Sequence, residues 1–146
     1  MPEPGSTRVR TVRPEAFLFD LDGVLLDTEP LHAIAWRQAA THFGTDLTDG
    51  QLAQLQGKRR LENARQVCAW ISQPITPEEL LAVRQPIAAD LMTSAPAMPG
   101  AESLVRYIHS LNLPMALVTS SERTSMQHKI GHHSWVNLLQ VQVCGD

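Results

Sequence analysis

Two aspartates separated by one residue, Asp20 and Asp22, follow a short apolar run and precede Gly23. A turn at the glycine can bring both carboxylates into one cleft, because glycine adopts backbone conformations that other residues avoid. One carboxylate can then attack an electrophile while the other moves protons, as in aspartyl-phosphate chemistry. The pair also suits a hard cation such as Mg²⁺, which prefers oxygen ligands. The pattern alone leaves a second interpretation open, in which the aspartates only stabilise a turn.

A second polar cluster, Thr119-Ser120-Ser121, follows the apolar run at residues 115–118. A hydroxyl and a backbone N–H at the start of a helix suit phosphate oxygens, so Thr119 and Ser120 are candidate phosphate-binding residues. Such residues are also common as ordinary helix caps, and that alternative stays open. If both apolar runs are parallel strands, their polar ends meet at the edge of the sheet where ligands bind.

The spacing of apolar residues predicts the elements that position these side chains. The run Ala16-Phe17-Leu18-Phe19 is typical of a strand buried on both faces of a parallel sheet. A long helical region follows; Thr28 can cap its first helix, and Thr76-Pro77-Glu78-Glu79 predicts a capping box later in the region. Beyond residue 100 the pattern predicts a helix, a strand, a helix from about residue 122 to 130, and a half-exposed strand. In that last strand Leu139, Val141 and Val143 alternate with glutamines.

This order predicts an α/β fold, namely a doubly wound parallel sheet with a helical domain inserted after the first strand. We assign residues 1–14 to a flexible tail, residues 15–27 and 97–146 to the sheet domain, and residues 28–96 to the helical insert.

Composition narrows the function classes. The chain has 146 residues, is 43% hydrophobic and carries a formal charge of −3, which is typical of a globular unit and gives no basic field for nucleic acid. Two cysteines are too few for a disulfide framework and favour a reducing compartment. We find no apolar run of membrane-spanning length and no signal peptide, so we expect a cytoplasmic protein without a membrane partner.

The segment from Phe19 to His32, FDLDGVLLDTEPLH, resembles the first motif of the haloacid dehalogenase-like hydrolase superfamily. Within that superfamily, it is most similar to the phosphoglycolate phosphatase and β-phosphoglucomutase group, whose helical insert is a cap domain. The segment LVTSS at 117–121 resembles the second motif. The resemblance extends over nearly all of residues 15–146. It implies a Mg²⁺-dependent phosphatase that acts on a small phosphorylated metabolite and is monomeric at full length.

The resemblance also implies roles for the residues at the sheet edge. Asp20 would be the nucleophile, and Asp22 would protonate the leaving group and then activate water. The Asp20 side chain and the Asp22 backbone carbonyl would hold Mg²⁺. Thr119 and the N–H of Ser120 would bind the transferring phosphoryl group.

Two residues of the cap resemble substrate-contacting positions. Arg60, at the end of the run Lys58-Arg59-Arg60, matches an arginine that meets a second anionic group, and His32 matches a histidine beside the hinge. An exposed basic turn and an ordinary helix residue are the respective alternatives. A phosphosugar mutase of the same fold is the alternative to a phosphatase, because a mutase must hold a bisphosphate and Arg60 would meet its second phosphate.

Two motifs of the superfamily find no match, namely the third, which supplies a lysine, and the fourth, which supplies further metal-binding acids. Of the two lysines, Lys129 is about seven residues into its predicted helix, roughly 10 Å along the axis from the phosphate end, so we expect it to be a poor substitute. We therefore expect a fragment of a longer enzyme that is inactive alone and self-associates through its first strand. A non-catalytic truncated product is the remaining alternative.

Overall fold

The computed structural model describes residues 12–146, so residues 1–11 of the predicted tail lie outside the described residues. The elements, in chain order, are β1 (Phe17–Phe19), α1 (Glu29–His42), α2 (Asp49–Ala53), α3 (Arg60–Trp70), α4 (Pro77–Met92), α5 (Ala101–Ser110), β2 (Met115–Val118), α6 (Arg123–Ile130), a 3₁₀ helix (Ser134–Leu138) and β3 (Val141–Val143). The predicted α/β class with a parallel sheet is confirmed.

The sheet has three parallel strands in the order β1-β2-β3. Phe19 lies opposite Leu117, and Val118 lies opposite Val143. Because the strands are parallel and in register, the residues that follow β1 and β2 emerge at the same edge of the sheet. This edge carries Asp20 and Thr119.

The described helices cover only one face of this sheet. Met115 and Leu117 point to the covered face and are buried. Leu18 is 75% exposed, and the valines on the same face by register, Val118 and Val141, are 42% and 57% exposed. The uncovered face is therefore apolar.

One strand prediction needs correction. The run 16–19 is not buried on both faces: Ala16 and Leu18 are exposed and the two phenylalanines only partly buried, because β1 is an edge strand with one bare face. The predicted half-exposed strand β3 is confirmed, since Val141 and Val143 are 57% and 51% exposed while Gln142 is half-buried. Its apolar side faces solvent.

The helical insert follows the sequence pattern more closely. The capping box at Thr76 is confirmed, with the N–H of Glu79 donated to the Thr76 hydroxyl at 3.2 Å. A second capping box joins Thr48 and Gln51 at the start of α2. Thr28 is the N-cap residue of α1, but its side chain makes no cap hydrogen bond. The predicted cap position is therefore confirmed, but the Thr28 hydroxyl donates to Asp22 and not to the helix backbone.

The buried apolar residues form two clusters. One lies between the sheet and its helices and includes Leu21, Leu117 and Met126. The other lies among α1 to α4 and includes Trp36 and Leu80. The two chain segments that connect the clusters lie side by side, since the N–H of Asp27 donates to the carbonyl of Pro96 at 2.8 Å. None of the described helices is long and apolar enough to span a membrane.

Candidate functional site

Asp20 is exposed at the end of β1, and its Oδ1 accepts a hydrogen bond from the N–H of Leu21 at 2.7 Å. The carbonyl of Leu21 in turn accepts the N–H groups of residues 24, 25 and 26, which curls the chain tightly. Gly23 has a φ of 75°, which confirms the predicted turn and explains the glycine. The turn holds Asp20 beside open solvent and directs Asp22 inward.

A cavity of about 580 Å³ opens between this sheet edge and the helical insert. Its lining includes four residues predicted from the sequence: Asp20, His32, Arg60 and Ser120. It also includes residues that the sequence did not single out, namely Glu29, Trp36, Asn63 and Arg84. The structure thus brings the candidate nucleophile Asp20 and the candidate phosphate-binding residue Ser120 to one cavity. The two candidate substrate contacts from the helical insert, His32 and Arg60, line the same cavity.

The carboxylate of Asp22 accepts four hydrogen bonds. Oδ1 accepts from the Thr28 hydroxyl and from Lys129 Nζ, both at 2.8 Å. Oδ2 accepts from Lys129 Nζ at 3.0 Å and from the Ser121 hydroxyl at 3.1 Å. Burial raises the pKa of Asp22. The hydrogen bond and charge of Lys129, and then the hydrogen bonds from the Thr28 and Ser121 hydroxyls, lower it by more, so this pKa lies below its usual value. Asp22 is therefore held as a carboxylate.

Lys129 was expected to lie far from the phosphate end of α6, and this expectation is wrong, whereas its being a poor substitute for the third-motif lysine stays a prediction. Its side chain is buried, only 5% of the residue being exposed, and Nζ contacts Asp22 and also the Ser121 hydroxyl at 2.9 Å. The distance along the helix axis ignored the reach of a flexible four-carbon side chain. It also ignored the packing of α6, whose Met126 is buried in the cluster that contains Leu21.

Thr119 and Ser120 follow β2 in different environments. Thr119 is 5% exposed, and its Oγ1 accepts the N–H of Ser121 at 3.1 Å. Ser120 is exposed and lines the cavity. Neither caps α6, whose N-cap residue is Glu122. The first turn of α6 is instead stabilised by Asp146, which accepts the N–H of Arg123 at 3.0 Å.

Arg84 is a site residue that the sequence analysis missed. It is 6% exposed, its Nη2 lies 3.2 Å from His32 Nδ1, and its guanidinium lies over the ring of Trp36. Burial and then the charge of Arg60 lower the pKa of Arg84 to about 10, so it stays protonated at neutral pH. One signal could have found it: Arg84 comes four residues after the buried Leu80, on the inner face of α4.

Burial lowers the pKa of His32 to about 4, with further contributions from the charges of Arg84 and Lys129, while Asp22 opposes the shift. His32 is therefore neutral at physiological pH. A neutral imidazole beside Arg84 accepts the guanidinium hydrogen bond at Nδ1, whereas an imidazolium would repel it.

The residues at the sheet edge fit a hard cation. Asp20 offers an exposed carboxylate, and the backbone carbonyl of Asp22 accepts no N–H within the turn. The Asp22 side chain is engaged by its four hydrogen bonds. Among residues 12–146 no group of three or more His, Cys, Asp or Glu side chains could hold a metal ion by itself. If a cation binds here, these two residues would supply part of its coordination shell.

The model of the family described as haloacid dehalogenase-like hydrolase matches residues 17–146. The chain belongs to this superfamily. This membership confirms the superfamily that the two motifs resemble. A solved structure of a HAD hydrolase of family IA, variant 3, from Entamoeba histolytica has a TM-score of 0.72 with 22% identity and shares the fold. That match covers 91% of this chain and 62% of the other.

Two curated relatives extend the comparison. A "Probable pseudouridine-5'-phosphatase" from Drosophila melanogaster is 32% identical over 129 residues, covering 88% of this chain and 56% of the relative. Hexitol phosphatase A from Escherichia coli is 31% identical over 121 residues, covering 82% of this chain and 55% of the relative. The chain thus spans about half the length of the curated relatives it matches.

Proposed function

We propose that the protein is a phosphatase for a small phosphorylated metabolite and that it forms an aspartyl-phosphate on Asp20. The observation that carries this proposal is the convergence of Asp20, Ser120 and Arg84 on one cavity of about 580 Å³. An exposed carboxylate and a phosphate-binding loop lie at one side, and a buried cation lies on the helical side. The cavity volume falls within the range typical of small-molecule sites.

The chemistry uses the two aspartates in turn. Because Asp22 is a carboxylate before substrate binds, it first takes a proton from the monoanionic form of the phosphate ester. A carboxylate oxygen of Asp20 then attacks phosphorus, the bond to the leaving oxygen breaks, and that oxygen takes the proton from Asp22. A water molecule next gives a proton to Asp22 and attacks phosphorus, which frees Asp20 and releases inorganic phosphate. The exposure of Asp20 suits the nucleophile.

Other residues would position the phosphoryl group. The Thr119 hydroxyl accepts the N–H of Ser121, which leaves its own hydrogen free to donate to a phosphate oxygen. The backbone N–H of Ser120 would donate a second hydrogen bond. The superfamily typically uses Mg²⁺, which would be held by the Asp20 carboxylate and the Asp22 carbonyl and would neutralise phosphate charge.

The cap side of the cavity supports a leaving group with many polar contacts. Asn63 and Arg84 are both buried and line this side, and the relatives include a hexitol phosphatase and a probable pseudouridine-5'-phosphatase. A phosphosugar mutase is the second candidate. Arg60 and Arg84 place two cations on the same cavity, which would suit the second phosphate of a bisphosphate.

The test uses the longest natural polypeptide that contains residues 1–146. Phosphate release from a panel of sugar, polyol and nucleoside monophosphates should identify a substrate. Asp20→Asn should reduce turnover to background, because it keeps the shape and removes the attacking charge. Asp46→Asn, at an exposed loop position, is the matched control and should retain activity. Activity of Asp20→Asn within tenfold of the parent would exclude the nucleophile.

Chelation and product analysis complete the experiment. Excess chelator should abolish turnover, and Mg²⁺ should restore it. Conversion of a sugar 1-phosphate to its isomer without net phosphate release would favour the mutase instead.

A further inference from the structure

Lys129 is deeply buried for a lysine, with 5% of the residue exposed. Lysines are almost never buried to this extent unless they are paired. Its Nζ binds both oxygens of Asp22, at 2.8 and 3.0 Å, and the Ser121 hydroxyl at 2.9 Å. All three hydrogens of the ammonium group therefore have acceptors.

These contacts come from behind the cavity. Neither Lys129 nor Asp22 is among the residues that line it, whereas Asp20 and Ser120 are. Lys129 therefore acts on the site through Asp22 and Ser121, which it contacts. Lys129 and its partners join three separate parts of the chain: the last turn of α6, the turn after β1 and the loop after β2.

The donors around Asp22 come from different parts of the chain and bind different oxygens. Thr28, the residue before the cap helix α1, binds only Oδ1. Ser121, in the loop after β2, binds only Oδ2. Lys129 binds both oxygens and also Ser121, so it connects the two sets of contacts. Without Lys129, the carboxylate would keep one hydrogen bond on each oxygen and lose the group that contacts both.

We propose that Lys129 is a positioning residue that holds the Asp22 carboxyl group where it can exchange a proton with the leaving oxygen of the substrate. This inference rests on the proposed function. A purely structural ion pair is the competing explanation, and buried ion pairs are weak evidence for a gain in stability. The two explanations differ in how the loss of Lys129 affects substrates that need a proton and substrates that do not.

The experiment compares 4-nitrophenyl phosphate with phenyl phosphate, two substrates of similar shape. The nitrophenolate leaves without a proton, whereas the phenolate leaves much faster when it receives one. The ratio of kcat/KM for the two esters reports on proton transfer during formation of the aspartyl-phosphate. Both are measured in the longest natural polypeptide that contains the chain.

Lys129→Met should lower kcat/KM for phenyl phosphate by about a hundredfold and for 4-nitrophenyl phosphate by no more than about fivefold, in keeping with the usual size of general acid catalysis. Lys129→Arg keeps a positive charge and should recover part of the loss. Gln127→Met, at an exposed position of the same helix, is the matched control and should leave both values near the parent. Equal losses for the two esters in Lys129→Met would show that the residue is only structural.

The failure of the proposed function is distinguishable from the failure of this inference. A parent protein that hydrolyses neither ester would overturn both. An active parent with equal losses would overturn the inference alone. If Lys129→Met does not fold, the same ratio measured in Lys129→Arg decides: a selective loss for phenyl phosphate supports positioning, and an unchanged ratio contradicts it.

Discussion

The guanidinium of Arg84 lies over the indole ring of Trp36, with 4.1 Å between Cζ and the ring centroid. Its Nη2 lies 3.2 Å from His32 Nδ1, and His32 is uncharged at neutral pH. Within residues 12–146, Arg84 forms no ion pair with a carboxylate. A buried, protonated guanidinium that has no carboxylate partner and lies beside a cavity attracts an anionic or strongly polar group of a ligand.

The first prediction follows from this uncompensated charge. Arg84→Met should raise KM about tenfold or more for a substrate with a second anionic group, because charge-assisted hydrogen bonds contribute on the order of 2 kcal/mol. The effect on 4-nitrophenyl phosphate should be small, since that ester has no second anion. Steady-state kinetics on both substrates measure the difference. Arg65→Met, on the exposed side of α3, is the control, and equal effects of Arg84→Met on both substrates would contradict the assignment.

Much of the site could be predicted because its chemistry depends on residues close together in sequence. Asp20, Asp22 and Gly23 lie in one turn, and Thr119 and Ser120 lie in one loop. Parallel strands then bring the turn and the loop to one edge. Local pattern and sheet topology together therefore locate these groups without a structure.

Lys129 and Arg84 could not be located in this way. Each comes from a helix, where burial depends on how the helix packs and not only on its own sequence. Lys129 meets Asp22 across 107 positions of the chain, and Arg84 meets His32 across 52. A charged residue in a helix is exposed in most proteins. The wrong burial predicted for β1 has a related cause, since burial of Leu18 depends on what covers the sheet.

The second prediction concerns pH. The pKa of His32 is about 4 in the folded protein and about 6.5 in the unfolded chain. Between these values the unfolded state binds a proton that the folded state does not, so stability should fall as pH decreases from 6.5 towards 4. The slope from His32 is at most about 1.4 kcal/mol per pH unit. Arg84 and Lys129 oppose protonation of His32, and Asp22 favours it.

Urea denaturation of the parent and of His32→Asn, at several pH values between 7 and 4, measures this contribution. The difference in unfolding free energy between the two proteins should change with pH in this window. Asp22 contributes a similar loss only at lower pH, because its pKa is below 3.8 in the folded state. Parallel curves for the two proteins would show that His32 is not buried as a neutral group.

The third prediction concerns the contact between Gly145 and the loop after β2. The N–H of Gly145 donates to the carbonyl of Ser121 at 2.9 Å, and a Cβ at this position would lie 2.9 Å from the carbonyl carbon of Ser120 and would clash with its oxygen. Gly145→Ala should therefore displace the loop and destabilise the protein by roughly 1–3 kcal/mol. Thermal unfolding measures the loss.

Gly50→Ala is the matched control for this substitution. Gly50 lies in α2, and the nearest atom to an added Cβ is the Thr48 hydroxyl at 3.9 Å, an ordinary contact. Alanine at a helical position should leave stability unchanged or raise it by about 0.5–1 kcal/mol. If the two alanine variants unfold at the same temperature, the close approach of Gly145 to Ser120 does not exist in solution.

The uncovered face of the sheet leads to the last prediction. Leu18, Val118, Val141 and Val143 share this face, and none is less than 42% exposed. β1 also forms one edge of the sheet, where its outer backbone N–H and C=O groups are available for pairing. A flat apolar face beside an open strand edge favours association with another chain.

We predict that residues 1–146, expressed alone, self-associate through this face and the β1 edge and show no measurable phosphatase activity. Leu18→Lys combined with Val141→Lys should shift the sedimentation profile towards the monomer, because two charges on the face resist burial. Leu61→Lys is the matched control, since Leu61 is 43% exposed in α3. It should leave the association unchanged. A monomer over the full concentration range in sedimentation velocity would refute self-association, and phosphate release by that monomer would refute the predicted inactivity.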